Sequence, residues 1–211
     1  MKIIYLESVD STQTYLKKLL LANKIQAPYA VVAKIQTNGI GSRDNVWTGM
    51  DGNLFLSFAL PLAYLPKDLK IESSSIYYAY LLKEALHQMG SSVFLKWPND
   101  FYIDDLKIGG MITNIVHDSI VCGVGLNLVS SPKDFGVLDI KISKEELLKK
   151  YFTNIEKLVS WKKVFSKYKI EFAHKKKFTT HKKNLTISLE KAVLQDDGSI
   201  IVDGQRIYST R

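Results

Sequence analysis

Residues 96–100 read Lys-Trp-Pro-Asn-Asp, and Lys107-Ile108-Gly109-Gly110 follows after six intervening residues. The proline fixes its own backbone and removes an amide donor at the end of an apolar strand, and the next two residues offer an amide and a carboxylate at a turn. The two glycines let a bound group approach the backbone, and a lysine beside them suits an anion. Asn-Asp turns are also common in purely structural loops, so spacing alone leaves both interpretations open.

The sequence around this segment predicts strands and helices of an α+β fold. Strands predicted over 93–97, 108–116 and 119–128 are rich in β-branched residues and separated by turn-like spacers, which favours antiparallel neighbours. We therefore expect a mixed, largely antiparallel sheet with flanking helices. The other predicted elements are strands at 2–6, 30–36 and 53–60, a loop at 37–52, and helices that begin near Asp10 or Ser11, cover 72–89, follow Ser143 and cover 161–173.

The C-terminal residues predict a small β module. Residues 174–183 are the best candidate for a linker, and beyond them Asp197-Gly198 and Asp203-Gly204 each lie between apolar runs, which indicates two tight hairpins. About 30 residues cannot build an independent core, so the module must pack on the rest of the protein. We divide the chain into a main domain, 1–177, and a C-terminal β module, 178–211.

Composition limits the class of protein. The chain has 211 residues, 46% of them hydrophobic, which is enough for one sizeable core. The longest uncharged stretch, 52–66, contains two prolines and is too short for a membrane helix, and the N-terminus lacks the apolar core of a signal peptide. The single cysteine, Cys122, excludes an intrachain disulfide and suits a reducing compartment. We expect a cytoplasmic protein with no membrane partner.

Positive charge is concentrated in one region. The formal net charge is +8, but residues 141–191 hold 15 Lys and 5 acidic residues, or +10, so the remainder sums to −2 by subtraction. A basic region of this kind can meet nucleic acid or an acidic protein, and it can equally be the solvated outer face of helices. A non-catalytic nucleic-acid-binding protein therefore stays open as an alternative from another class.

Several familiar sites are excluded. Gly39 and Gly41 are followed by Asp44 where a dinucleotide fingerprint needs its third glycine, and there is no phosphate loop with Gly-Lys-Ser or Gly-Lys-Thr. The four histidines are far apart and lack metal-ligand spacing.

The segment 96–112 closely resembles the biotin protein ligase signature KWPNDxxxxxxKxxGxL, with its internal spacing intact. Other pieces follow in the order of that family, so the resemblance covers nearly the whole chain. They are Ser11-Thr12-Gln13, Gln36 with Gly39 and Gly41 leading to Trp47, Gly52-Asn53-Leu54, and residues 123–127.

The resemblance implies a fold and an activity. The fold would be that of class II aminoacyl-tRNA synthetases and biotin or lipoate ligases, with a short SH3-like C-terminal module. The activity would be ATP-dependent attachment of biotin, through biotinyl-5′-AMP, to a lysine of an acidic biotin carboxyl carrier protein such as a subunit of acetyl-CoA carboxylase, with Mg²⁺ as cofactor. Ser11 lies too near the N-terminus for a winged-helix domain, so direct DNA binding is not expected.

The resemblance also implies a role for individual residues. Lys107, Arg43 and Asp100 would be catalytic, and Asp100 would be the candidate for metal or water organisation. The ATP site would comprise Arg43, Trp47, Lys96, Asn99, Lys107 and Asn127. The biotin site would comprise Ser11, Thr12, Gln13, Gln36, Gly39, Ile40, Gly41, Ser42, Lys107, Gly110 and Gly123.

Residues 39–47 depart from the family pattern. The family loop reads GRGRxGRxW, but Ile40, Ser42 and Asn45 occupy three of its arginine positions here, and Arg43 is the one arginine left. The C-terminal module is also shorter than the usual SH3-like domain. A lipoate ligase shares the fold and the adenylate chemistry, but its characteristic arginine-glycine loop is absent, and the segment 96–100 favours biotin.

The arginine-poor loop predicts weak retention of the adenylate, because fewer charge-assisted hydrogen bonds would hold its phosphate. Incubated with biotin, ATP and a bystander protein, the enzyme should biotinylate lysines of the bystander, detectable by mass spectrometry, and a reaction without ATP is the control. Labelling confined to the acceptor lysine at saturating biotin and ATP would contradict this expectation.

Overall fold

A seven-stranded mixed sheet forms the centre of the protein in a computed structural model that describes residues 1–41, 46–47, 49–175, 177–182 and 185–209. The strand order is β1-β2-β5-β9-β8-β7-β6. These strands are β1 (Lys2–Val9), β2 (Tyr29–Gln36), β5 (Leu54–Pro61), β6 (Phe94–Lys96), β7 (Asp100–Ile103), β8 (Leu106–Val116) and β9 (Ser119–Leu126). The helices are α1 (Thr12–Leu21), α2 (Ser74–His87), α3 (Lys144–Glu156) and α4 (Trp161–His174).

The pairing within this sheet confirms the predicted fold class. β1 and β2 are parallel, with α1 as the crossover between them, and the remaining ladders of the sheet are antiparallel. Shorter strands pair elsewhere. They are β3 (Gly39–Ile40) with β4 (Val46–Trp47), β10 (Thr179–Lys182) with β11 (Leu185–Ser188), and a meander of β12 (Val193–Leu194), β13 (Ile200–Val202) and β14 (Gln205–Ile207).

Side chains of the central strand β5 are buried on both faces of the sheet, as its continuous apolar sequence predicts. On one face Phe58 meets three aromatic rings of α2 and α3 edge-on, at centroid distances of 5.6 to 5.9 Å. On the other face Ala59 packs in a smaller cluster with Leu16 and Leu20 of α1. The three larger helices therefore cover one face, and α1 covers part of the other.

The structure corrects two of the predictions, a strand that was missed and a linker that is too long. The sequence predicts only a turn after Pro98, but residues 100–103 form β7, because Phe101 is fully buried and the strand pairs with both β6 and β8. The predicted linker, 174–183, is too long, since α4 continues to His174 and β10 begins at Thr179. The ladder between β10 and β11 gives that polar segment its backbone partners.

The C-terminal strands share the apolar core of the main sheet. Leu189, Leu194, Ile200 and Ile207 belong to the same buried cluster as α2, α3 and α4. The predicted hairpin at Asp203-Gly204 is present as a two-residue loop with positive φ at both positions, 48° and 75°, the geometry of a type I′ turn. A separate domain for residues 178–211 remains a prediction. Across the part of the chain that the structure describes, no helix has the length and apolar character to cross a membrane.

A buried ion pair joins α2 to α4. The Lys83 Nζ lies 2.6 Å from the Glu171 carboxylate, and the exposed side-chain fractions are only 6% and 14%. The same carboxylate accepts a hydrogen bond of 2.6 Å from the Leu95 backbone N–H in β6. Glu171 thus fixes α4 to a second helix and to the edge of the sheet.

Glu171→Gln should lower the free energy of unfolding by about 3 kcal/mol, because among the described residues it leaves the buried Lys83 ammonium with one carboxylate partner, Glu84, at 3.5 Å. Urea denaturation measures the loss. The matched control is Glu7→Gln, which breaks an exposed pair with Lys34 at 3.7 Å and should cost less than about 1 kcal/mol. Equal losses in the two variants would show that burial of the pair is unimportant.

Candidate active site

A pocket of about 480 Å³, part of it open to solvent, lies on the α1 face of the sheet. Its wall brings together side chains from α1, β2, β7, β8 and the loop around β3 and β4. The predicted site residues that line it are Ser11, Thr12, Gln13, Gln36, Ile40, Gly41, Trp47, Asp100, Lys107, Gly110 and Gly123.

Neutral hydrogen-bonding groups form one end of the pocket. Ser11 caps the N-terminus of α1, and its hydroxyl accepts from the Thr14 N–H at 3.3 Å. The backbone N–H and hydroxyl of Thr12 both donate to the Gln36 Oε1, at 2.8 and 2.9 Å. Both contacts fix the orientation of the Gln36 amide, so its NH₂ group is the part left to donate to a ligand.

Ser57 completes this end and was not predicted. Its hydroxyl lies 2.9 Å from that of Thr12 and is fully buried on the pocket floor. The one polar residue in the apolar strand Leu54–Pro61 was the available signal, since a hydroxyl on a central strand needs a partner.

Gln13 presents an acceptor to the pocket. Its Nε2 donates to Asn114 Oδ1 at 3.1 Å and to the Val121 carbonyl at 3.3 Å. Its Oε1 lies beside Gly123, which lines the pocket. That buried oxygen has no hydrogen-bond partner among the described residues. Leaving such an acceptor unpaired costs about 1–3 kcal/mol, so the position suits a ligand with an N–H or O–H donor.

Glycines on β8 and β9 let these side chains rest directly on the sheet. A Cβ on Gly123 would lie 2.5 Å from the Gln13 Oε1, and one on Gly125 would lie 2.5 Å from the Trp47 Nε1. On Gly110 a Cβ would lie 3.1 Å from the Asp100 Oδ1. The pocket floor therefore has almost no room for side chains at these three positions.

A charged group forms the other end of the pocket. The Lys107 Nζ lies 2.7 Å from Asp100 Oδ1, and the Lys96 Nζ lies 3.7 Å from Asp100 Oδ2. Burial, and secondarily the charge of Asp100, raises the pKa of Tyr102 to about 12, so this phenol stays neutral while it accepts a 3.3 Å hydrogen bond from Lys96. Two ammonium groups around one carboxylate leave a net charge of +1, which suits an anionic ligand.

Four predicted residues lie outside the pocket wall. The Asn99 side-chain amide donates to the Met111 carbonyl, and the Asn127 amide donates to the Gly136 carbonyl at 3.1 Å. The Lys96 Nζ approaches the Asp100 Oδ2, although Lys96 does not line the pocket, and Gly39 packs against the Trp47 backbone. Each amide has a second N–H, so these bonds are compatible with the predicted role of Asn99 and Asn127 in nucleotide binding, which stays a prediction. The predicted residues Ser42 and Arg43 lie outside the described part of the chain.

Asn53 is a further residue that organises the site. It is fully buried, and its Oδ1 accepts from the Leu128 and Val129 N–H groups at 3.0 and 3.2 Å. Its Nδ2 donates to Asn127 Oδ1 at 3.3 Å and to the Ser130 carbonyl at 2.8 Å. Asn53 thus holds the loop that follows β9.

The pocket offers little to hold a metal ion through protein groups alone. No group of three or more His, Cys, Asp or Glu side chains in the described ranges could ligate a cation. Asp100 is the one carboxylate among the lining residues, and it already pairs with two lysines. Its geometry fits the positioning of ammonium groups better than it fits a metal ligand.

Curated proteins resemble part of this chain in sequence. The chain is 29% identical to the bifunctional ligase/repressor BirA of Bacillus subtilis over 143 residues, 63% of this chain and 42% of that protein. It is 31% identical to biotin–protein ligase 2 of Arabidopsis thaliana over 144 residues, 59% of this chain and 43% of that protein. The chain thus matches about two fifths of the length of these curated relatives.

Solved structures match over more of the chain. Biotin acetyl coenzyme A carboxylase synthetase from Helicobacter pylori, with bound biotinylated ATP, is 40% identical with a TM-score of 0.95, and the match covers 98% of this chain and 99% of that one. Biotin protein ligase from Aquifex aeolicus, in complex with biotin and ATP, shares the fold at 23% identity, with a TM-score of 0.79 and coverage of 98% and 94%.

A family model described as the biotin/lipoate A/B protein ligase family matches residues 5–127, which is more than half of the chain and contains every described residue of the pocket wall. The chain therefore belongs to the biotin/lipoate A/B protein ligase family.

Proposed function

We propose that the protein is an ATP-dependent biotin–protein ligase, which forms biotinyl-5′-AMP and transfers the biotin to a lysine of a carrier protein. One observation carries the proposal: a single pocket joins a buried neutral hydrogen-bonding end to the Lys107–Asp100 ion pair. Biotin has the matching polarity, with a ureido ring at one end and a carboxylate at the other. The H. pylori relative, similar over 98% of this chain, was solved with biotinylated ATP.

The neutral end suits the ureido ring. The unpartnered Gln13 Oε1 is placed to accept from a ureido N–H, and the Ser11, Thr12 and Gln36 side chains are the proposed partners of the rest of the ring. Selectivity follows because an analogue without those polar groups would leave the buried groups of the protein unpaired.

The charged end suits the first chemical step. A biotin carboxylate oxygen attacks the α-phosphorus of ATP, a new O–P bond forms, and pyrophosphate leaves. The Lys107 ammonium is placed to offset the negative charge that develops as two anions approach. Mg²⁺ would arrive bound to the phosphates of ATP, since such ions keep phosphate and water ligands, and we assign no step to a metal held by Asp100.

The second step transfers the acyl group. The neutral ε-amine of an acceptor lysine attacks the acyl carbon of the mixed anhydride, an amide bond forms, and AMP leaves. Hydrolysis competes with this step, so exclusion of water matters. Trp47 is positioned for it, because its ring packs against Gly125 at the pocket wall and meets Phe135 edge-on at 6.2 Å.

A lipoate-type ligase is the second candidate, because the family includes both activities. The Gln13 Oε1 favours biotin, since a buried acceptor needs a donor and the dithiolane ring of lipoate has no N–H group. Calorimetry with each acid separates the two, and tighter binding of lipoate than of biotin would overturn the assignment.

Lys107→Ala should reduce biotin-dependent exchange of pyrophosphate into ATP by about 10²–10³-fold, because one preorganised charge at the reacting centre is lost. Lys67→Ala, at an exposed lysine away from the pocket, is the control and should match the wild type. An unaltered exchange rate in the Lys107 variant would refute the proposed role of this residue. Absence of exchange in the wild type would refute the ligase.

The acceptor is proposed to be an acidic carrier domain. Residues 141–191 carry a net charge of +10, and α3 and α4 place many of these lysines in solvent, whereas the described pocket wall holds only Lys107 and Asp100 as charged residues. The charge for docking a protein is thus separate from the charge for chemistry. A cytoplasmic location belongs to the same proposal, since Cys122 is a free thiol fully buried in the core.

Added salt should raise the KM for the acceptor several-fold while pyrophosphate exchange changes by less than about twofold, because screening acts on exposed charges. Steady-state assays across a salt series measure both. A KM for the acceptor that does not change with salt concentration would argue against electrostatic docking. Salt-sensitive, tight binding of DNA or RNA without binding of biotin would favour the nucleic-acid-binding alternative.

A further inference from the structure

The turn at residues 196–198, between two of the C-terminal strands, is bound by side chains from three separate segments of the main sheet-and-helix core. Its three successive carbonyl groups accept, in order, from the Trp161 indole N–H at 2.7 Å, the Ser73 hydroxyl at 2.5 Å and the Trp97 indole N–H at 2.8 Å. Trp97 belongs to the segment that also contains Asp100. The C-terminal strands therefore contact a segment of the candidate active site.

The turn holds its shape through contacts of its own. Gly198 has φ of +75°, in the left-handed region that favours glycine, and a Cβ there would lie only 2.8 Å from the Ile76 Cδ1. The Asp197 carboxylate accepts from the Ser199 N–H at 3.0 Å and the Ser199 hydroxyl at 2.5 Å, and it lies 3.4 Å from the Arg206 guanidinium. These contacts within the turn hold the Gly198 carbonyl that accepts from Trp97.

Trp97, which donates to the turn, lies in a three-residue hairpin loop. Lys96 of β6 pairs in register with Asp100 of β7, so residues 97–99 connect the two strands. Asn99 is tied to β8, because its carbonyl accepts from the Met111 N–H at 3.0 Å and its amide donates to the Met111 carbonyl. The Trp97 side chain, 2% exposed, is the contact that fixes the other end of the loop.

We propose that the turn 196–198, acting through Trp97, positions Asp100 and so the Lys107 ammonium. Asp100 directly follows the loop and holds Lys107 at 2.7 Å, a contact that a shift of about 1 Å would break. Trp97 does not line the pocket, so it is a positioning residue and not a catalytic one. The kinetic consequence rests on the proposed ligase function, whereas the structural coupling does not.

Two matched variants test the coupling. Trp97→Phe and Trp161→Phe each remove one indole N–H that binds a carbonyl of the same turn, so both should lower the urea midpoint by similar amounts. Only Trp97→Phe should lower kcat for biotin-dependent pyrophosphate exchange, by about tenfold, with an unchanged Kd for biotin. Trp161→Phe should keep wild-type kcat, because Trp161 binds only the Asp196 carbonyl of the turn, and the contacts of Asp197 with Ser199 still hold the Gly198 carbonyl in place for Trp97.

Two further readouts separate positioning from general destabilisation. In an Asp100→Asn background, Trp97→Phe should cause no further loss of kcat, since both changes act on one unit. Hydrogen exchange of the Met111 amide, which reports the bond to the Asn99 carbonyl, should become faster in Trp97→Phe and not in Trp161→Phe.

Equal losses of kcat in the two tryptophan variants, an added loss in the Asp100→Asn background, or unchanged protection of Met111 would each overturn the proposal. If the wild type shows no biotin-dependent exchange, the ligase function fails instead. The Met111 measurement then still decides whether the turn controls the loop, because it needs no activity.

Discussion

Close contact between side chains and the bare backbone of β8 and β9 is the constraint on which the pocket depends. Gln13 comes from α1, Trp47 from β4 and Asp100 from β7, and each rests on a different glycine of these two strands. The glycines lie in paired or neighbouring register positions, Gly110 opposite Gly125 and Ile112 opposite Gly123. A single antiparallel ladder therefore places an acceptor, an indole and a carboxylate within one cavity.

Residues 96–110 show which parts of the candidate site could be predicted from the sequence and which could not. Their proline, turn residues and glycines left a structural and a functional interpretation open, and only the family resemblance supplied the residue roles. The pairing of Lys107 with Asp100 depends on β7, a four-residue strand too short and too mixed in polarity to be read from periodicity. Antiparallel pairing with β8 then brings the two residues together across the β7–β8 turn.

Contacts between distant segments were the least predictable. The hydroxyls of Thr12 and Ser57 meet only because β5 runs beneath the start of α1, a matter of tertiary packing across 45 positions. The length of the C-terminal strands showed that they need support from the rest of the protein, and a turn at Asp197-Gly198 was predicted. The side chains that bind this turn could not be predicted, because they come from distant segments. Short polar segments such as β10 take their structure from their pairing partner, which explains the overlong linker predicted there.

The ion pair between Lys107 and Asp100 affects how much electrostatic energy is gained when an anion binds at the charged end. Lys107 lies 2.7 Å from a carboxylate that Lys96 also approaches, so an arriving acid adds a second negative charge to two ammonium groups. Asp100 offsets part of the attraction, so the electrostatic energy gained when the acid binds is smaller than the two ammonium groups alone would give. In a ligase of this design, the neutral end would select the acid, and Lys107 would contribute most where the nucleotide phosphate adds further negative charge.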